Sequence, residues 1–140
     1  MIVACYCVAI GIAIWSSVSD INSRCIPNVA VIFLVAVAIV LSCLTGIWID
    51  WLSFAIAVII GLGVYLLRCF GAGDVKYFWA CMLVVPDQIE TLLIGTALAG
   101  LVLAIVYLAR HRFRPKEVGS LPYGVAISIG LLLCLSDAMI

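Results

Sequence analysis

NVAVIFLVAVAIVLSCL, running from Asn28 to Leu44, contains no charged residue and a single hydroxyl, that of Ser42. It is too long for an ordinary strand and too uniformly apolar for a helix with one face in water. An α-helix needs roughly twenty apolar residues to cross the hydrocarbon layer, and this stretch approaches that length. Working outward, comparable segments fall at Ile2 to Ser19, Trp51 to Leu67, Asp74 to Val85, Ile89 to Ala109 and Pro122 to Leu135. With 68% hydrophobic and only 10% charged residues, the 140-residue chain has too little polar surface to cover one water-soluble core. The expected fold is all-α: one membrane-embedded domain over residues 1–140 with six transmembrane helices. The fourth is short or tilted because Pro86 interrupts it.

The first segment has no positively charged region ahead of it and ends at Ser19-Asp20, so it reads as a retained span rather than a cleaved signal. Six crossings put every Lys and Arg on one side: Arg24, Arg68, Lys76, Arg110, Arg112, Arg114 and Lys116. The other side receives Asp50, Asp87, Glu90 and Asp137, with Trp48 and Trp51 as interfacial anchors. The positive-inside rule then makes the basic side cytoplasmic and leaves both termini outside, as expected for a multi-pass protein of the cytoplasmic membrane. His111 lies in the basic Arg110 to Glu117 connection, where solvation and headgroup contact account for it.

A net charge of zero excludes nucleic acid as an expected partner, since phosphate binding needs a concentrated basic face. The seven cysteines include no Cys-x-x-Cys pair and lie mostly in apolar runs, so neither a zinc site nor a disulfide framework is expected. Cys25 and Cys69 alone flank polar segments.

Two features depart from the apolar background: Ser19-Asp20, closing the first span, and Gly71-Ala72-Gly73-Asp74, opening the fourth. Either aspartate alone is accounted for by solvation or capping, and Asp74 stands where an N-cap belongs. As a pair at one boundary they suggest more. Two carboxylates brought together cannot both ionise readily, so one keeps a proton while the other acts as base, the chemistry of an aspartic protease that needs no metal or cofactor. Gly71 and Gly73 suit such a site by permitting unusual backbone geometry and close approach. Lys76 points away from Asp74 and serves as an anchor. Arg24, then Pro27-Asn28 at the start of the second helix, form a rigid turn under the first aspartate. In the last span Gly124, Ala126, Ser128 and Gly130 offer small side chains for close helix packing, as do Gly95 and Ala99 in the fifth and Ala57 and Gly61 in the third.

At these residues the chain resembles the type IV prepilin peptidase family, in particular its short bacterial form associated with tight-adherence (Flp-type) pili. Asp20-Ile21-Asn22-Ser23-Arg24-Cys25-Ile26-Pro27-Asn28 resembles the family's first motif. Gly71-Ala72-Gly73-Asp74-Val75-Lys76 resembles the Gly-x-Gly-Asp element, and Pro122-Tyr123-Gly124-Val125-Ala126-Ile127 the C-terminal Pro-Tyr-Gly element. The resemblance implies a six-helix membrane protease that uses Asp20 and Asp74 to remove the basic leader of a prepilin-like substrate at the cytoplasmic face. Asn22 and Cys25 stand where basic residues are common in the family. The cysteine-rich insertion of the long, bifunctional members is missing, so N-methylation of the cut pilin is not implied. Three other readings compete: a proton or ion relay built on the two aspartates, an inactive scaffold, and an intramembrane protease of the presenilin type. A relay needs further charge along a path across the bilayer, and the spans carry almost none.

Overall fold

A computed structural model describes residues 1–66, 71–113 and 121–139. Six helices follow one another: α1 (Ile2–Ser23), α2 (Asn28–Thr45), α3 (Trp51–Leu66), α4 (Ala72–Val84), α5 (Ile89–Phe113) and α6 (Tyr123–Met139). No strand occurs among the described residues. Three helices are long and apolar enough to cross a bilayer, α3 and α6 are shorter apolar helices, and side chains such as Ile59, Leu66 and Leu108 lie more than two-thirds exposed. Water would not tolerate that surface, whereas acyl chains suit it. The chain is an all-α polytopic membrane protein.

Local chemistry sets the helix ends. α1 stops where Arg24 turns left-handed, with φ 53° and ψ 33°, and its N–H returns to the Asp20 carbonyl at 3.0 Å. Pro27, extended at φ −62° and ψ 131°, precedes α2, and Gly46 at φ 73° ends it by donating to the Ser42 carbonyl at 2.9 Å. α4 ends at Val84 with Val85 as its C-cap, because the Pro86 ring that follows cannot continue the helix. Its 13 residues make a helix of about 20 Å, short of a hydrocarbon layer about 30 Å thick. α4 starts at Ala72, two residues before the expected Asp74, because Gly71 takes the N-cap position. α5 runs past Ala109 to Phe113, since no breaker intervenes before Pro115.

α1, α2, α4 and α6 pack as a closed ring in that order, with α3 laid against α4 and α5 against α6. Small residues permit this packing. In lipid, association gains little from the hydrophobic effect and depends on how closely the backbones approach. Ala9, Ala13, Ala30, Ala38 and Ala80 are buried in the core of the ring, and Ala126 is buried near Gly100 of α5. At the α5–α6 contact, a Cβ on Gly95 would come 3.1 Å from the Gly130 Cα. One on Gly130 would strike the Thr96 hydroxyl and lie 2.9 Å from the Leu92 carbonyl oxygen. On α3, the Ala57 and Gly61 notch receives the Trp79 indole, which donates to the Ala57 carbonyl at 3.3 Å.

Alternating direction sorts the connections to two ends. One end holds the C-terminus of α1 and the N-termini of α2, α4 and α6, where Ile26 packs between Gly73 and Gly124. At the opposite end Tyr6, Thr45, Pro86, Gln88 and Ala138 surround a shallow pocket. The described bases Arg24, Lys76, Arg110 and Arg112 belong to the first end by their places on the helices. Arg68, Cys69, Arg114 and Lys116 lie outside the described residues.

Candidate active site

Asp20 continues the buried stripe of α1. Ala9, Ala13, Ser16 and Asp20 follow at helical spacing, and Asp20 is only 5% exposed. A buried carboxylate needs compensation, and here it comes from another helix. Asp20 Oδ2 accepts the Gly124 N–H at 2.8 Å, in the first turn of α6. Backbone N–H groups at a helix start have no partner within the helix, and the dipole there favours an anion. The Arg24 guanidinium, one turn further along, adds its positive field. Gly124 makes the contact possible, since a Cβ there would sit 2.9 Å from both Asp20 Oδ2 and Ile26 Cδ1. The expected role of Gly124 in close packing therefore extends to giving the carboxylate access to the α6 amide.

Asp74 occupies the third residue of α4, not the N-cap, and is half-buried. Its Oδ2 reaches back to accept the Gly71 N–H at 3.2 Å. Gly71 is extended at φ −70° and ψ 150°, and Gly46 is the one glycine with positive φ among the described residues. Unusual backbone geometry is therefore not why Gly71 and Gly73 stand here. A Cβ on Gly71 would press to 3.1 Å from Asp74 Oδ2, whereas one on Gly73 would make ordinary contact with Ile26 at 3.7 Å. Gly71 leaves room for the carboxylate, and Gly73 leaves the α4 terminus open where Ile26 approaches.

Ile26 belongs to the first motif read in the sequence, but no role was assigned to it there. It is 5% exposed and wedged between the N-termini of α4 and α6, so the α1–α2 connection holds together the helix ends that bear Asp74 and Gly124. Asp20 and Asp74, 54 positions apart along the chain, come to the same end through this wedge: Asp20 binds the Gly124 N–H, Asp74 follows Gly73, and both glycines lie against Ile26. Around them, Arg24, Asn28 and Lys76 are exposed and Pro27, Pro122 and Tyr123 half-buried. Cys25 is also exposed, its thiol turned to the Ile26 carbonyl at 3.9 Å.

A profile of the type IV leader peptidase family matches residues 7–109, nearly three-quarters of the chain. The chain belongs to the type IV leader peptidase family. Neither the curated proteins nor the solved structures provide a match. The leader peptidase match includes both aspartates and ends before α6, the helix whose first turn Asp20 binds. Membership makes this chain a membrane protein of a peptidase family, and its acidic pair belongs to the matched region.

Tyr77 and Ser16 were also missed. Tyr77 is wholly buried three residues after Asp74, and Ser16 is wholly buried four residues before Asp20. Ser128, expected only to allow close packing, also makes hydrogen bonds: its Oγ lies 2.8 Å from the Tyr77 hydroxyl. The Asp74-x-x-Tyr77 and Ser16-x-x-x-Asp20 spacings were the available signal, because residues three or four apart share a helix face.

Proposed function

We propose that this leader peptidase is a membrane aspartic endopeptidase that removes the leader of prepilin-like precursors, with Asp20 and Asp74 as its catalytic pair. The observation that carries the reading is that two carboxylates, from helices not adjacent in the ring, stand at the same end of the bundle, each held by a backbone N–H at the start of a helix that Ile26 touches. With one member ionised and the other protonated, the ionised carboxylate takes a proton from a water held between them. The water oxygen attacks the scissile carbonyl carbon. The protonated member then gives its proton to the departing amine as the C–N bond breaks. The Gly124 N–H fixes Asp20, and the Gly71 N–H orients Asp74.

The positive-inside rule places this end at the cytoplasmic face of the cytoplasmic membrane, with both termini outside. A precursor with a short basic leader followed by an apolar helix suits that location: the helix lies in the bilayer and the scissile bond falls at the boundary. The test is leader removal from candidate prepilins by membranes carrying the wild type, Asp20→Asn or Asp74→Asn, followed by mass. The amide introduced by Asp20→Asn retains an oxygen that can accept the Gly124 N–H, so the fold keeps this contact while the acid is lost. Normal cleavage by either folded variant removes that residue from catalysis.

A further inference from the structure

Beneath the two carboxylates lies a buried polar layer that the cleavage chemistry does not use. Ser16 is four residues before Asp20 on α1, Tyr77 three after Asp74 on α4, and Ser128 four after Gly124 on α6. α1 runs toward the acidic end while α4 and α6 run away from it, so all three sit about one turn, or about 5 Å, deeper than the groups they follow. Each is no more than 2% exposed.

The bonds in this layer cross helices. Ser128 Oγ lies 2.8 Å from the Tyr77 hydroxyl, 3.2 Å from the Ala13 carbonyl oxygen of α1 and 2.9 Å from the Gly124 carbonyl oxygen. A serine hydroxyl has one hydrogen, and the two carbonyls can only accept, so Ser128 donates to them and Tyr77 donates to Ser128. One oxygen thus joins α4, α6 and α1 directly beneath Asp74, Gly124 and Asp20. The Ser16 hydroxyl faces Tyr77 without reaching hydrogen-bonding geometry.

We propose that Tyr77 and Ser128 are positioning residues for the aspartate pair: their bond fixes the register of α4 against α6 and α1, and so the separation of Asp74 from Asp20. The inference rests on the aspartic peptidase reading above for its effect on catalysis, but its geometric half stands apart from it. Tyr77→Phe is the cleanest probe. It keeps the ring and leaves Ser128 bonded to both carbonyls, so only the tie to α4 is lost. Ser128→Ala strands the Tyr77 hydroxyl in the core and tests folding as well, whereas Ser128→Thr keeps the hydroxyl.

The full chain in detergent or membranes serves for two measurements. In the first, cleavage of a prepilin by Tyr77→Phe should lose about tenfold in kcat with KM within about twofold, since displacement of a catalytic group by even 1 Å is costly to the chemical step. Ser128→Thr should recover activity that Ser128→Ala loses. In the second, hydrogen exchange of the peptide spanning Tyr123 to Ser128 should quicken severalfold in Tyr77→Phe, with thermal unfolding little changed. An unchanged kcat in Tyr77→Phe, beside inactive Asp20→Asn and Asp74→Asn, overturns the positioning role and leaves the peptidase reading intact. If the aspartate variants remain active, the peptidase reading fails, and the exchange measurement alone decides whether the layer sets the register; unchanged exchange overturns it.

Discussion

Each end of the bundle uses aspartate at a helix start, and the two ends use it differently. At the pocket end, Asp50 caps α3: its Oδ2 accepts the Ser53 N–H at 3.0 Å and the Ser53 hydroxyl at 2.9 Å, and the residue is exposed. At the other end, Asp74 makes a similar local contact with Gly71, but Asp20 is buried and reaches across to a helix more than a hundred residues away. A cap explains an acid that serves its own helix. It does not explain a second carboxylate, supplied by α1, that is buried at the same end and bound to the start of another helix. That excess over capping is the ground on which we propose this end as the site of chemistry.

The largest expected effect tests that contrast directly. Asp20→Asn and Asp74→Asn should each slow leader removal by roughly a thousandfold or more, within the range that positioned acids and bases contribute. Asp50→Asn should leave the rate unchanged. Equal losses at all three positions, read by the mass of the pilin product, would mean that capping is all these aspartates provide.

Gly124→Ala should come next. Its methyl would meet Asp20 Oδ2 and Ile26 Cδ1 at 2.9 Å, so the carboxylate must move away from the α6 amide. A loss of about 1–3 kcal/mol in stability from overpacking, with cleavage slowed on the order of ten- to a hundredfold, is the expected outcome in paired unfolding and rate measurements.

Gly130→Ala introduces a harder clash between α5 and α6, away from the acidic pair, because its methyl would meet the Leu92 carbonyl oxygen and the Thr96 amide nitrogen at 2.9 Å. It should cost at least the ~1–3 kcal/mol of ordinary overpacking on thermal unfolding. Its loss of cleavage should be much smaller than that of Gly124→Ala, and a loss as large would extend the functional region to α5.

The smallest effect belongs to Asp50→Ala. The Ser53 N–H and hydroxyl hold the Asp50 carboxyl below the ordinary aspartate range. Its folded value lies below the unfolded one, so the cap's contribution is complete above about pH 4 and fades as pH falls through the folded value. Asp50→Ala should therefore lower the unfolding temperature slightly at neutral pH, with the difference from wild type closing in acid and leader removal unaffected.

The six helices were legible because lipid leaves the chain few choices. Without water to satisfy backbone groups, each apolar run must satisfy its own, and a helix does so. The breakers Pro27, Gly46 and Pro86 mark their ends for the same reason. The acidic pair was legible as charge in an otherwise apolar chain. Ile26 and Tyr77 stand close to those aspartates in the sequence, but neither is charged, and their roles come from contacts with other helices, which spacing along one segment does not show. Gly71 and Gly73 invited an explanation from backbone freedom, and the observed φ of Gly71 and its contact with Asp74 replaced that with side-chain room.

The sequence by itself determined that the chain lives in a bilayer as six helices and that Asp20 and Asp74 are its exceptional residues, because apolar length and stranded charge are properties of composition. Only the tertiary structure decided what those residues touch. The Asp20 contact with Gly124, the Ile26 wedge and the Tyr77–Ser128 bond join groups on different helices. Their pairing depends on which small residues let which backbones come close, and no single segment carries that information.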